Sequence, residues 1–207
     1  MSTAAVATYL VSIAGSAGAF ESLATLLAIL PRDFPAAIAV ALHISSGSDL
    51  VSALRRFSAL PVDWAQPGEL LRPGLVYAAR PNSHLVINPD ARMTLSDAPR
   101  VRHFRPSADW LFESASASFG ERHTAIVLSG MLSDGAMRLQ AVKGHGGRIV
   151  VQDPLACRFG DMPQAAIATG QVDRVLTLLE LRDDLVDVLK ARDPRIDAAR
   201  WENPFAA

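Results

Sequence analysis

The sequence predicts an α/β protein: a doubly wound, mostly parallel sheet flanked by helices, with an antiparallel hairpin inserted at one edge. Two observations carry this. Short, nearly continuous apolar runs at residues 9–14, 37–42 and 124–128 alternate with longer segments of helical period, and strands buried on both faces are what a helix-covered parallel sheet requires. With 207 residues, half of them hydrophobic and 20% charged, the chain is long enough to bury one substantial core.

Taken in order, residues 9–14 read as a buried strand, and Gly15-Ser16-Ala17-Gly18 as the turn that feeds a helix over 19–30, which Pro31 and Pro35 stop. Residues 37–42 form a second strand, apolar at every position. Ser48 or Asp49 caps the next helix, expected to run to about residue 60. From Pro61 to Pro81 prolines and glycines punctuate short segments, with strands at 76–79, 84–87 and 93–96. The last two are joined across Asn88-Pro89-Asp90-Ala91 as the hairpin. Helical period returns at 107–119, with Trp110, Leu111 and Phe119 facing the core. Then come a strand at 124–128, a helix at 135–143 ended by glycines, a strand at 148–152, a short helix at 163–168, a short strand at 172–175 and an amphipathic helix at 178–191. One domain is expected over 1–194, followed by a tail at 195–207 without periodicity.

Twenty basic and 21 acidic residues leave a formal charge of −1, which does not favour a nucleic-acid backbone as partner. Arg100, Arg102, His103 and Arg105 form the one local basic cluster. Cys157 is the only cysteine, so no intrachain disulfide and no thiolate metal cage is available, in keeping with a reducing cytoplasm. No basic residue precedes Arg32, so the apolar opening lacks the positive flank of a signal peptide. No run reaches the roughly 20 residues that span a bilayer. A cytoplasmic protein without membrane insertion is expected.

Three remote segments end an apolar run with a residue that serine hydrolysis requires. Ser16 lies in the glycine turn, His43 follows residues 37–42, and Asp134 lies in Ser129-Gly130-Met131-Leu132-Ser133-Asp134-Gly135. In a parallel sheet the C-terminal strand ends share one edge, where such folds bind ligands. Nucleophile, base and orienter then assemble from three loops, in an order that a triad permits. Each has a plainer reading beside the catalytic one: Ser16 as a helix cap, His43 as a backbone-bonded loop residue, Asp134 as an N-cap. The turn is also open to a nucleotide phosphate, although it lacks the full glycine fingerprint and any Gly-Lys-Ser/Thr. His103, His123 and His145 read as polar loop residues, and His84 as the start of a hairpin strand.

The ordered segments Ile13-Ala14-Gly15-Ser16-Ala17-Gly18, Ala41-Leu42-His43, Gly74-Leu75-Val76-Tyr77-Ala78-Ala79 with His84, Arg105-Pro106-Ser107-Ala108-Asp109, Val127 through Ala136, Val151-Gln152-Asp153-Pro154 and Met162-Pro163-Gln164-Ala165-Ala166-Ile167 carry a resemblance. The chain resembles, over about residues 10–189, the catalytic domain of the chemotaxis protein-glutamate methylesterases, the CheB-type family. The resemblance implies hydrolysis of glutamate γ-methyl esters on bacterial chemoreceptors, with deamidation of glutamines as a companion activity. It makes Ser16 the nucleophile, His43 the base and Asp134 its orienter, with the amides of Ala17 and Met131 as oxyanion donors and no metal or organic cofactor. Methylated receptor helices are the implied partners, with a receptor methyltransferase or a separate receiver protein as further ones, and Arg105 as a candidate receptor contact. Because the first catalytic strand begins near Met1, a receiver domain acting within the chain is not expected.

Several positions depart from the family pattern. Where members read Gly-Ala-Ser-x-Gly-Gly, this chain has Ala14-Gly15-Ser16-Ala17-Gly18-Ala19. Phe104 replaces a histidine, and Leu132 and Asp161 replace glycines. A methylesterase-like module that binds receptor or methyltransferase without turnover is therefore the alternative to the enzyme.

Overall fold

The computed structural model describes residues 5–44 and 49–193, so the expected cap at Ser48 and the tail at 195–207 lie outside the described residues. In chain order the elements are β1 (Leu10–Gly15), α1 (Ala19–Ile29), β2 (Ala37–Leu42), α2 (Leu50–Arg55), β3 (Val62–Trp64), β4 (Val76–Ala78), β5 (His84–Ile87), β6 (Met93–Ser96), α3 (Ala108–Phe119), β7 (His123–Val127), α4 (Leu139–Gly144), β8 (Arg148–Gln152), α5 (Asp161–Ala168), β9 (Arg174–Leu176) and α6 (Leu178–Arg192). Seven strands form one parallel sheet in the order β3-β4-β2-β1-β7-β8-β9. The chain winds outward from β1 in one direction and returns to begin again at β7. The reversal therefore falls between β1 and β7, and a crevice opens at their C-terminal ends.

Alternation along the strands decides which helices cover which face. On β2, Ile38, Val40 and Leu42 join Val11, Ile13, Ile126 and Val150 in a core closed by Leu23, Leu26 and Leu27 of α1, Leu54 of α2 and Leu181 and Leu185 of α6. The opposite side of β2 carries only Ala37, Ala39 and Ala41, small enough for Leu111, Ala115 and Phe119 of α3 to approach closely. Further along that face, α4 and α5 place Leu139, Val142, Met162 and Ala166 on Ala14, Ala125, Val127, Ile149 and Val151.

Most expected elements form, with bounds that move by one or two residues. Asp49 accepts a hydrogen bond from the Ser52 amide and caps α2, but that helix stops at Arg55, and residues 62–64 add the edge strand β3 that the periodicity did not reveal. The hairpin β5–β6 is a separate two-stranded sheet rather than an extension of the main one. Its free edge is taken by α3: the Ile87 amide donates to Ser114 Oγ at 3.1 Å and Ser118 Oγ donates to the Ile87 carbonyl at 2.9 Å. Leu85, Ile87 and Met93 of the hairpin are buried in the core that α3 shares with the main sheet.

His123 is not a loop residue. It opens β7, is 1% exposed, and its Nε2 lies 2.6 Å from Oγ of the fully buried Ser12. Nδ1 is buried without a partner, and burial drives the imidazole down to about 3 from its ordinary 6.5. Folded His123 thus stays neutral while the unfolded chain takes a proton below about pH 6.5. The stability linked to it is present above that pH and is lost as pH falls toward 3, on the order of 5 kcal/mol in all. Replacing both partners by apolar groups, Ser12→Ala with His123→Leu, is expected to leave stability at pH 7.5 nearly unchanged. The same pair should flatten the decline between about pH 6 and 3.5, as read from urea unfolding.

Candidate active site

Leu42 pairs with Gly15 at the ends of β2 and β1, and the His43 amide donates to the Gly15 carbonyl at 3.2 Å. Ser16 and His43 are therefore the next residues on adjacent strands, spaced roughly 4.8 Å apart across the sheet. Sheet register alone brings Ser16 and His43 together. Asp134 arrives from the loop after β7, and its Oδ2 lies 2.8 Å from His43 Nε2, with the two side chains 1% and 12% exposed. The carboxylate also accepts from Ser107 Oγ at 2.8 Å and from the Ala108 amide at 2.7 Å, at the N-terminus of α3. Burial alone would raise the Asp134 pKa, but the bonds from His43, Ala108 and Ser107 outweigh it and hold the carboxyl below its usual value. An ionised carboxylate can only accept, so Nε2 carries the imidazole proton and Nδ1 keeps the lone pair. That Nδ1 is buried, has no partner, and makes no hydrogen bond to Ser16 Oγ in this structure.

A further layer supports Ser107. Its amide donates to His84 Nδ1 at 3.2 Å, which fixes Nε2–H of His84 on the Pro99 carbonyl at 3.2 Å, and Trp110 stacks on the ring with centroids 5.0 Å apart. Asp109, also buried, is pushed up to about 6 by burial and by the charge of Asp134.

The Ser16 turn is clamped to the end of β7. The Ser16 amide donates to the Ser129 carbonyl at 3.0 Å, Ser129 Oγ donates to the Ala17 carbonyl at 2.8 Å, and the Ser129 amide donates to buried Gln152 at 3.0 Å. Gly130 permits this approach: a Cβ there would lie 2.2 Å from Met162 Sδ and 3.1 Å from Ser16 Cβ. The amides of Ala17 and Met131 lie outside helices and strands and, among the described residues, donate to no acceptor. Gly18, at φ 73°, leads into α1, whose N-terminus has no side-chain cap. Free amides and a helix start beside a serine favour developing negative charge.

The departures from the family pattern now have places. Phe104 stacks on His43 with ring centroids 3.9 Å apart and planes 4° from parallel. It is presented by a tight reversal in which Val101 and Phe104 exchange backbone bonds of 3.1 and 2.8 Å, with Arg102 and His103 both at positive φ, 47° and 76°. That is the signature of a type I′ turn, here without its usual Asn-Gly. Arg102 reaches Ser133 Oγ at 3.1 Å. Leu132 occupies left-handed backbone at φ 68° with its side chain 62% exposed, a conformation that glycine adopts freely and leucine at a cost of about 1–2 kcal/mol. Asp161 opens α5 as an exposed acid, a favourable charge at a helix N-terminus. Arg105, half-buried, donates to Asn82 Oδ1 and to the Asp97 and Ala98 carbonyls. Ser107, Ser129 and Gln152 join the site without being singled out by sequence reasoning, although each lies in a segment that carries the resemblance.

Gly15 and Ala19 explain one another. A Cβ on Gly15 would lie 2.4 Å from Ala19 Cβ, so the family's alanine at 15 requires its glycine at 19, and this chain exchanges the two. Gly15→Ala is expected to cost about 1–3 kcal/mol by overpacking, and Ala19→Gly about 1 kcal/mol or less by loss of helix propensity. The double variant should recover most of the first loss. Recovery stops short of complete because Leu42 Cδ2 and the Ser129 carbonyl also press on residue 15, at 3.2 Å each. Thermal melts of the four proteins measure the coupling, and additive losses would refute it.

Comparison with known proteins places this geometry in context. Residues 11–185 match the CheB methylesterase family. The protein-glutamate methylesterase FrzG of Myxococcus xanthus is 41% identical over 171 residues, covering 82% of this chain and 51% of that protein. A relative in Leptospira interrogans, provisionally named protein-glutamate methylesterase/protein-glutamine glutaminase, is 37% identical over 81% of this chain and 88% of its own length. The crystal structure of the Thermotoga maritima CheB methylesterase catalytic domain superposes with a TM-score of 0.83 at 30% identity, covering 87% of this chain and 98% of that one. The chain thus spans about half the length of the Myxococcus relative. The matched residues run from β1 into α6 and include Ser16, His43 and Asp134, and the chain belongs to the CheB methylesterase family.

Proposed function

We propose that the chain hydrolyses glutamyl γ-methyl esters on chemoreceptor proteins through Ser16, His43 and Asp134. The observation that carries this reading is the His43–Asp134 bond of 2.8 Å, which leaves the Nδ1 lone pair unpartnered on the residue that follows β2 as Ser16 follows β1. Nδ1 lies nearer the backbone than Nε2, so it is the nitrogen suited to a neighbour on the adjacent strand, while Nε2 extends to the carboxylate. Attack requires Ser16 Oγ to reach that nitrogen by turning about its Cα–Cβ bond.

Nδ1 takes the Ser16 hydroxyl proton as Oγ attacks the ester carbonyl. The amides of Ala17 and Met131 receive the oxyanion, each donor of this kind typically worth about 3 kcal/mol. The C–O bond to the methoxy group breaks, the imidazolium returns its proton to the leaving oxygen, and methanol departs from the acyl-enzyme. Water then repeats the cycle and frees the glutamate. With a glutaminyl amide the same steps release ammonia, the second activity named in relatives of this chain. Asp134 stays ionised throughout, holding the tautomer and stabilising the imidazolium. Phe104 covers one face of the ring, limits its rotation and keeps water from it. A receptor methyltransferase and a separate receiver protein are the further partners this reading admits.

Ser16→Ala should abolish methanol release from a methylated receptor fragment while leaving the melting profile intact. Asp134→Asn, which presents the wrong tautomer to the serine, is expected to lower kcat by about four orders of magnitude. Wild-type turnover in either folded variant would overturn the assignment, and receptor binding without methanol release by the intact chain would favour the binding module instead.

A further inference from the structure

Arg100 Nη2 and Arg105 Nη2 donate to the same neutral oxygen, Asn82 Oδ1, at 3.0 and 2.8 Å, with Arg105 Nε also on it at 3.1 Å. Arg102, exposed, stands two residues along the turn and donates to Ser133 Oγ. Among the described residues none of the three forms an ion pair. Asp97 offers Arg105 its backbone carbonyl, and its side chain forms no ion pair among the described residues. Glu113, further along α3, is paired with Arg138. Two guanidiniums converging on one amide oxygen repel each other, and their other bonds go to the neutral carbonyls of His103, Asp97 and Ala98, so no anion among the described residues offsets either charge. The same loop places Phe104 on His43 and Arg102 on the residue before Asp134, so this positive cluster borders the reacting centre. Four of the five non-glycine residues at positive φ, Asn82, Arg102, His103 and Leu132, also lie along this border. Strain held at one edge of a fold is the usual mark of a surface shaped for a ligand.

From these contacts we infer that Arg100, Arg102 and Arg105 form a carboxylate-binding rim, which selects glutamyl esters embedded in an acidic peptide segment. The inference rests on the esterase reading of Ser16 and names the surroundings of its substrate. A residue one helical turn from the reacting glutamate lies about 5.4 Å along the axis, close enough to meet a rim that begins two residues from the imidazole's neighbour. Guanidinium forks match carboxylates in geometry as well as charge. Arg105 also holds two loop carbonyls and Arg102 holds Ser133, so the removable charge is Arg100, whose other bond is to the His103 carbonyl.

The test uses two synthetic peptides, each with one glutamate γ-methyl ester, flanked by glutamates in one and by serines in the other. Affinity is measured by fluorescence anisotropy on the Ser16→Ala variant and kcat/KM on the intact chain, so that recognition is read apart from turnover. The acidic peptide should bind about tenfold more tightly at low ionic strength, the sum of several exposed pairs. That preference should shrink in about 0.5 M salt, where screening acts within a few ångströms. In the Arg100→Glu variant, or the milder Arg100→Gln, the preference should fall to about twofold or less while hydrolysis of the serine-flanked peptide is retained. Equal affinity for both peptides, or a preference that survives the charge changes in a folded variant, would overturn the rim. Loss of turnover with the binding preference intact would count against the esterase reading alone.

Discussion

The His43–Asp134 hydrogen bond joins residues 91 apart in the chain, and much of the rest of the structure serves to keep it in place. A carboxylate side chain 1% exposed is tolerable only because three donors meet it, and removing one member of such a buried set typically costs about 3–5 kcal/mol. Those donors come from different places. His43 is delivered by the register of β2 on β1, Ser107 and Ala108 by the start of α3, and Ser107 is itself held by His84, which opens the hairpin. The β5–β6 hairpin, docked on α3 through Ser114 and Ser118, is therefore part of the support of Asp134 rather than an ornament on the sheet.

Departures from the family pattern look different once their neighbours are known. Ala19 reads as the loss of a glycine in a functional turn, yet the contact between positions 15 and 19 makes it one half of a matched exchange with Gly15. Leu132 is not matched in this way. Its left-handed backbone persists with a side chain that is mostly in solvent, so no packing contact repays the strain, and the loop from Met131 to Asp134 is held instead by the bonds on Asp134 and by Arg102 on Ser133. Phe104 changes the chemistry of the imidazole's surroundings most directly, because a stacked apolar ring replaces a group able to make hydrogen bonds.

What the sequence made legible was local. Runs such as residues 37–42 declare a strand buried on both faces, and a residue that follows such a run must emerge at the sheet edge, which is why Ser16, His43 and Asp134 were identifiable without coordinates. Less legible was anything set by contacts distant in sequence. Residues 62–64 are too short to show a period, and become a strand because β4 offers them an edge. His123 follows Gly120-Glu121-Arg122, a polar surface turn, and only the neighbouring strand reveals that Ser12 waits for it in the core. Phe104 looked like a missing histidine, since no property of the local sequence says that the Val101–Phe104 turn would lay its ring on His43.

Electrostatics divides the site into layers of opposite sign. Beneath the surface lie Asp134, ionised, and Asp109, pushed up to about 6 by burial and by that same neighbour. Above them Arg102 lends positive potential that opposes the rise in the Asp109 pKa, and Arg100 and Arg105 crowd one amide oxygen. His43 stands between these layers, its Nε2 on the buried carboxylate and the ring of Phe104 over its face. The division of labour follows from depth: the buried carboxylate fixes the orientation of the imidazole, while the outer arginines, paired with no anion among the described residues, are the charges that an incoming segment meets first.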